Sequence, residues 1–210
     1  MTKTDKPEFD GLSLVAGHPA LDFVNSVKYR GSTVPGDRVS TYAAMIGWAE
    51  VADVLDTATA AKFKQLATLD PDAASDAQTE IIVLREAFRS LLPPLVDDDH
   101  LVQRAEIVVS NVLLEVAKYR QIDPASMSFV AQLPAQKPSD LLLWIGFTLE
   151  NFMLRDPRLE VGCCEGCNCD WVFLRGTRGP VRRWCDSRTC GNAARVRQYR
   201  TNQKTVSAQT

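Results

Sequence analysis

All six cysteines of this 210-residue chain fall between Cys163 and Cys190, and two pairs of them share one spacing. Cys164-x4-Cys169 is followed, after fifteen residues, by Cys185-x4-Cys190. Two short loops of that kind can each bring two thiolates to one tetrahedral cation such as Zn²⁺. Ion binding then supplies the folding energy that so short a segment lacks. The only histidines, His18 and His100, lie far from the cluster in sequence. The donor set is therefore all sulfur, and a closed four-thiolate site is structural rather than catalytic. Spacing leaves one choice open, because Cys164-x2-Cys167 is a commoner knuckle spacing than Cys164-x4-Cys169.

Charge divides at the same place. Residues 161–210 hold nine Lys or Arg against three acids, Glu165, Asp170 and Asp186, an excess of six positive charges. Residues 1–160 hold fifteen basic and twenty-three acidic side chains, an excess of eight negative charges that a formal net charge of −2 conceals. From Asn192 onward Gly and Pro are absent, so a helix is expected there. On it Arg197, Arg200 and Lys204 fall at i, i+3 and i+7 and form one basic stripe. A helix held by a metal core with arginines along one side suits phosphates or a major groove. Arg175, Arg178, Arg182 and Arg183 extend the positive surface. The same helix could instead dock on the chain's own acidic front half.

The length and a 45% hydrophobic content suit one sizeable core plus a small appendage. The opening MTKTDKPEFDG is polar and acidic, unlike a secretory signal, and the longest apolar run, Leu141 to Leu149, is too short to cross a bilayer. These features predict a cytoplasmic protein without membrane association. In a reducing compartment clustered cysteines serve as metal ligands or redox sensors more often than as disulfides.

Along the front, a Gly-His-Pro turn should lead into a helix beginning near Ala20. Ser40 is placed to cap a helix over Thr41 to Ala52, and Asp56 one over Thr57 to Leu69. Ile81, Leu84, Phe88 and Leu91 stripe a third helix that ends at Pro93-Pro94. Asp97-Asp98-Asp99 is read as the solvated start of a fourth, striped by Leu101, Ala105, Val108, Val112 and Val116 and ending near Tyr119. Met127 to Leu133 has weak strand character. Pro138-Ser139-Asp140 opens a helix that is apolar on nearly every side and should run through the interior, and Leu159 to Cys164 suggests a short strand. Trp48 and Trp144 are expected in the core, and Trp171 and Trp184 beside the metal.

The run Cys169-Asp-Trp-Val-Phe173, then Arg182-Arg-Trp-Cys185, then Cys190-Gly-Asn192 resembles the CGNR-type zinc finger. That resemblance implies Zn²⁺ held by Cys164, Cys169, Cys185 and Cys190, leaving Cys163 and Cys167 outside the site. The chain departs from the pattern at Ala193, where the family has Arg, and at Phe173-Leu-Arg175-Gly-Thr177, where a Phe-x-Asp-x-Ser run is usual. Leu21-Asp-Phe-Val-Asn25-Ser26 and Asp37-Arg-Val-Ser-Thr-Tyr42 resemble the start of the ABATE domain that commonly precedes such fingers. Together the two imply a bacterial transcription regulator that responds to stress or a small ligand.

The expected architecture is mainly α: a helical N-terminal sensing or dimerising domain with a few short strands over 10–158, a small C-terminal zinc-binding module over 159–204, and a disordered tail over 205–210. DNA is the expected partner, through Arg182, Arg183, Arg195, Arg197 and Arg200. His18, Asp22 and Asn25 are candidates for a small-molecule effector site, or else simply bond the backbone around their own turn and helix. A homodimer fits the class. Loss of Cys185 or Cys190 should unfold the module and leave the helical domain cooperative. The competing reading is a zinc-stabilised protein-interaction or redox-sensing adaptor with Cys163 and Cys167 as reactive thiols. No His-Glu-x-x-His, phosphate-cradling glycine loop, Gly-x-Ser-x-Gly elbow or zinc-deaminase pattern occurs, which points away from an enzyme.

Overall fold

The computed structural model describes residues 7–28, 36–95, 99–155, 160–166, 168–176 and 180–207. A two-residue hairpin, β1 (Glu8–Phe9) and β2 (Leu12–Ser13), leads into the short helix α1 (Pro19–Val24). A second small antiparallel pair, β3 (Val27–Lys28) and β4 (Gly36–Asp37), follows. The helical body then consists of α2 (Tyr42–Val51), α3 (Thr57–Leu69), α4 (Pro71–Leu91) and α5 (Asp99–Ala117). A hairpin of β5 (Arg120–Asp123) and β6 (Ser128–Ala131) precedes α6 (Leu141–Met153). The hairpin β7 (Val161–Cys163) and β8 (Val172–Leu174) and the terminal helix α7 (Cys190–Ser207) complete the chain. The mainly helical architecture with a cysteine-rich C-terminal module is the one the sequence predicts.

Local chemistry sets the helix starts. Asp56 accepts from the Thr59 amide at 2.7 Å, as expected, and Asp70 caps α4 by accepting from Ala73 at 3.0 Å. Each cap is worth about 1 kcal/mol. Helix α2 begins one residue later than expected: Thr41, not Ser40, accepts from the Ala44 amide. Leu92 is extended after α4, and Pro93–Leu95 forms one 3-10 turn, consistent with the loss of amide donors at the two prolines.

Helix α4 is the hub, lying along α5 and also touching α1, α2, α3 and α6. Its buried positions Ala74, Ala77, Ile81, Leu84 and Phe88 follow the helical period, and Trp48, Phe63, Leu141, Ile145 and Leu149 close over them. Helix α6 is buried along one face, at Leu141, Ile145, Gly146, Thr148 and Leu149, rather than all round. A Cβ on Gly146 would stand 2.5 Å from Val112 Cγ1, so glycine is what lets α5 and α6 approach. On α5, Ala105, Val109 and Val116 are buried whereas Leu101 is 54% exposed, so the stripe is rotated from the expected one. Asp97 and Asp98 lie outside the described residues.

The expected strand near Met127 forms, as β6, but its partner Arg120–Asp123 and the pairing of the two in a hairpin turned by Met127 at φ 49° carry no local sequence signal, and neither does the ion pair between Arg85 and Asp37. Beneath β4, the Arg85 guanidinium is 3% exposed and donates to both carboxylate oxygens of Asp37, at 3.0 and 2.8 Å, and to Ser26 Oγ at 3.0 Å. It also lies 5.8 Å from the Phe23 ring centroid. Removing one partner of such a pair strands a buried charge. Asp37→Ala should therefore cost about 3 kcal/mol or more in urea denaturation, and the double change Asp37→Leu with Arg85→Met should cost less than the single one. Equal losses would show the pair to be uncoupled.

Candidate metal centre

The β7–β8 hairpin sets the first two sulfurs. With Cys163 opposite Val172, the intervening loop turns back on itself, Cys164 donating its amide to Trp171 O at 2.9 Å and Cys169 to Gly166 O at 3.2 Å. The other two come from the Cys185 segment and the first residue of α7, Cys190. All four Sγ atoms of Cys164, Cys169, Cys185 and Cys190 lie within 4.8 Å of one another. Cys169 and Cys185 are 3.7 Å apart and Cys185 and Cys190 are 3.6 Å apart, sulfur to sulfur. A tetrahedron with Zn–S bonds of about 2.3 Å has edges of about 3.8 Å, so these separations fit. The Cys185 amide donates to Cys164 Sγ at 3.3 Å. A Cβ on Gly166 would lie 3.1 Å from Cys190 Sγ and 3.4 Å from Cys164 Sγ, so the loop admits only glycine without shifting a sulfur.

The sulfurs are also electrostatically prepared for a cation. Hydrogen bonds from the thiols of Cys169 and Cys185 hold Cys164 down at about 2. Their bonds to Cys164 push Cys169 up to about 12 and raise Cys185 as well. A divalent ion binds the deprotonated sulfurs and displaces their protons. Soft, four-coordinate thiolate donors with no open position suit structural Zn²⁺, the cofactor of this chain.

Polar contacts splice this module to the front. Asn25, at the C-terminal cap of α1, bonds Val172 twice, its Nδ2 donating to the carbonyl and its Oδ1 accepting from the amide, both at 2.9 Å. The Leu174 amide donates to Ala16 O at 2.8 Å, and Asp22 Oδ1 accepts from the Ala16 amide at 2.9 Å. Arg182 stacks 4.2 Å from the Phe173 ring centroid and donates to Val15 O at 2.8 Å, Trp184 O at 3.1 Å and Cys185 O. Val172, Phe173, Cys164 and Cys185 belong to the same continuous core as Phe23, Trp48 and Phe88.

These contacts revise the expected roles. Arg182 faces inward and is a structural splice, because its donors are engaged by backbone carbonyls; it leaves the set available to phosphate. Asn25 is 2% exposed with its amide group bonded at both ends, so it does not line an effector site. Asp22 and His18 are also nearly buried; His18 Nδ1 accepts from the Ala20 amide at 3.1 Å and caps α1, and its ring stands edge-on to Phe152. Burial, with the Arg155 charge second, lowers its pKa to about 4. Arg183 is exposed, pairs with Glu165 at 2.5 Å and lies 5.1 Å from the Trp184 ring centroid. Arg195, Arg197 and Arg200 are exposed on α7, and Arg195 donates to Ser187 O at 3.0 Å. Trp171 and Trp184 pack against the core beside the sulfurs. Cys163 is half-buried in β7, while Cys167 and Arg178 lie outside the described residues. Helix α7 continues through Ser207, beyond the expected start of the tail; residues 208–210 are not described.

A helical body spliced to a four-thiolate zinc finger defines the class. A family model for ABATE, described as a putative stress-induced transcription regulator, matches residues 17–145, and one for the CGNR zinc finger matches residues 160–203. The chain belongs to the ABATE family and ends in a CGNR zinc finger. No curated protein and no solved structure matches it significantly.

The two parts share one continuous core, so their unfolding should be coupled. Contrary to the expectation of an independent module, Cys185→Ser or chelation should lower the melting temperature of the whole chain, with Trp48 and Trp184 changing together, since structural zinc binding is worth about 10 kcal/mol or more. A separate early transition confined to the finger would contradict this. For His18, the unfolded chain takes up a proton near pH 6.5 that the folded one refuses until about 4, so stability falls as pH drops through that window. His18→Asn, which keeps a capping oxygen, should flatten the loss between pH 6.5 and 4 in thermal melts.

Proposed function

We propose that this chain is a zinc-dependent, DNA-binding transcription regulator. In this reading the zinc module, residues 159–204, is held by Cys164, Cys169, Cys185 and Cys190, and residues 10–158 form the sensing unit. One observation carries the reading: α7 starts at a metal-ligand position and stands clear of the protein, every residue from Arg195 to Gln203 being exposed. Among the described residues it makes no extensive contact with the acidic front half; Arg195 and Arg200 face outward, while Arg197 lines the groove beside Glu165. Arg197 and Arg200 stand four and seven residues beyond Ala193 and occupy the side where the family's arginine would project. Arg183 adds positive charge at the foot of the helix.

Effector sensing fits the cleft of about 200 Å³ between α1 and the end of α2, lined by Leu14, Gly17, His18, Asp22, Val51 and Asp53. The turn on its wall, residues 14–18, supplies the Val15 and Ala16 carbonyls that hold Arg182 and Leu174. A small molecule seated there acts on the same backbone that positions the finger.

The test is salt dependence with zinc-loaded protein. Duplex affinity should fall steeply between about 50 and 200 mM salt, and Arg197→Ala with Arg200→Ala should reduce the log–log slope by about one unit for each phosphate no longer neutralised. Arg182→Ala should instead lower stability and zinc retention. Absence of salt-sensitive duplex binding by the intact, zinc-loaded chain would overturn the proposal.

A further inference from the structure

The arginine stripe along α7 is not the part of the helix that stands farthest from the protein. Gly191 is buried and Ala194 half-buried, and Ala194, Arg197, Gln198 and Thr201 face Glu165 across a shallow groove. At about 100° per residue, Cys190, Ala194 and Thr201 define the inner side of the helix. Asn192, Val196, Tyr199 and Gln203 then fall within about 60° of one another on the opposite, outermost side. Val196 is 42% and Tyr199 64% exposed, and Gln203 Nε2 donates to the Tyr199 hydroxyl at 2.7 Å, fixing that ring's direction. Arg195 and Arg200 flank this crest, each about 70° from its centre.

We propose that the crest of α7, formed by Asn192, Val196 and Tyr199 with Gln203 orienting the tyrosine, reads base edges in the major groove of double-stranded DNA. Arg195 and Arg200 contact the phosphates on the two groove walls. This rests on the DNA-binding reading above and assigns its sequence specificity. The shape agrees: an α-helix about 10–12 Å across fits a major groove about 12 Å wide, and the exposed stretch from Arg195 to Gln203 is about 13 Å long. The chemistry agrees as well. An asparagine amide can pair with the donor and acceptor of adenine, and an exposed valine finds an apolar partner in the thymine methyl. Positive charge on both shoulders, with a neutral crest between, matches two anionic walls flanking a polar and apolar floor. A membrane surface or an acidic peptide has no such alternation and would not require it.

The experiment selects preferred duplexes from a random pool with the full, zinc-loaded chain, then compares affinity for a selected duplex and an unrelated one. Asn192→Ala, Val196→Ala and Tyr199→Ala should each reduce the preference about tenfold or more, leaving affinity for the unrelated duplex and the salt slope unchanged. Arg195→Gln and Arg200→Gln should lower the slope by about one unit each and leave the preferred sequence as it was. All five positions are exposed, and bound zinc measured in each variant checks the fold. Crest variants that keep the full preference, or a chain that selects no sequence while binding duplex with the expected salt slope, would overturn the inference and leave the DNA-binding reading intact. Loss of both readings would show as no salt-sensitive duplex binding at all.

Discussion

Two hydrogen bonds between the Asn25 side chain and the Val172 backbone do for the finger what a third strand would do for a hairpin. Strand β8 has β7 on one edge; on the other, the Asn25 amide meets Val172 and the Ala16 carbonyl meets Leu174. A two-stranded hairpin alone is marginal in water. Here its second edge is closed by the helical body, and Phe173 is driven to 0% exposure under the Arg182 guanidinium. The sulfur cluster and the helical core are thereby one packed object, and the position of α7 relative to α1 is set by hydrogen bonds as well as by the metal.

Electrostatics is arranged around that seam with little waste. The acidic front contributes Asp22 behind the Ala16 turn, and Arg89 of α4 reaches Asp170 of the finger at 3.4 Å, so charges from both halves serve the junction. Arg182 is held there, while Arg183, Arg195, Arg197 and Arg200 remain outside. Halves of opposite charge attract, which would fold the tail back on the front. The short connection from Cys185 to Cys190 and the anchorage of Gly191 against Trp184 aim α7 away instead.

Much of this fold is legible in the sequence, and what is not has physical reasons. Asp56 and the double proline after Leu91 are local signals, and local signals survive tertiary context. Capping by Thr41 in place of Ser40 is a one-residue difference that no local pattern resolves. The cysteine spacing leaves Cys167 and Cys169 as rivals, and the resemblance to a known finger favours the pair whose sulfurs converge here. Arg182 is misplaced by sequence reasoning because a basic residue beside other basic residues looks like surface, whereas its neighbours in space are carbonyls from Val15 and Cys185, 167 and three residues away. Asn25 poses the same problem: its partner is 147 residues distant. Arg85 and Asp37, likewise, form a pair that only the fold brings together. The arginine spacing on α7 marks a stripe, but which side of the helix faces outward depends on where Gly191 and Ala194 pack.

Helix α7 is anchored through its first residues, as far as Ala194 and the Arg195 bond to Ser187 O. Beyond Ala194 it projects into solvent, and a solitary helix of its length is marginally stable in water. Its outer turns therefore gain most of their stiffness when something grips them, and the free energy of stiffening is subtracted from whatever grip is made. Cooling, which favours helix over coil, should therefore stiffen the far end of α7 before any other part of the chain responds.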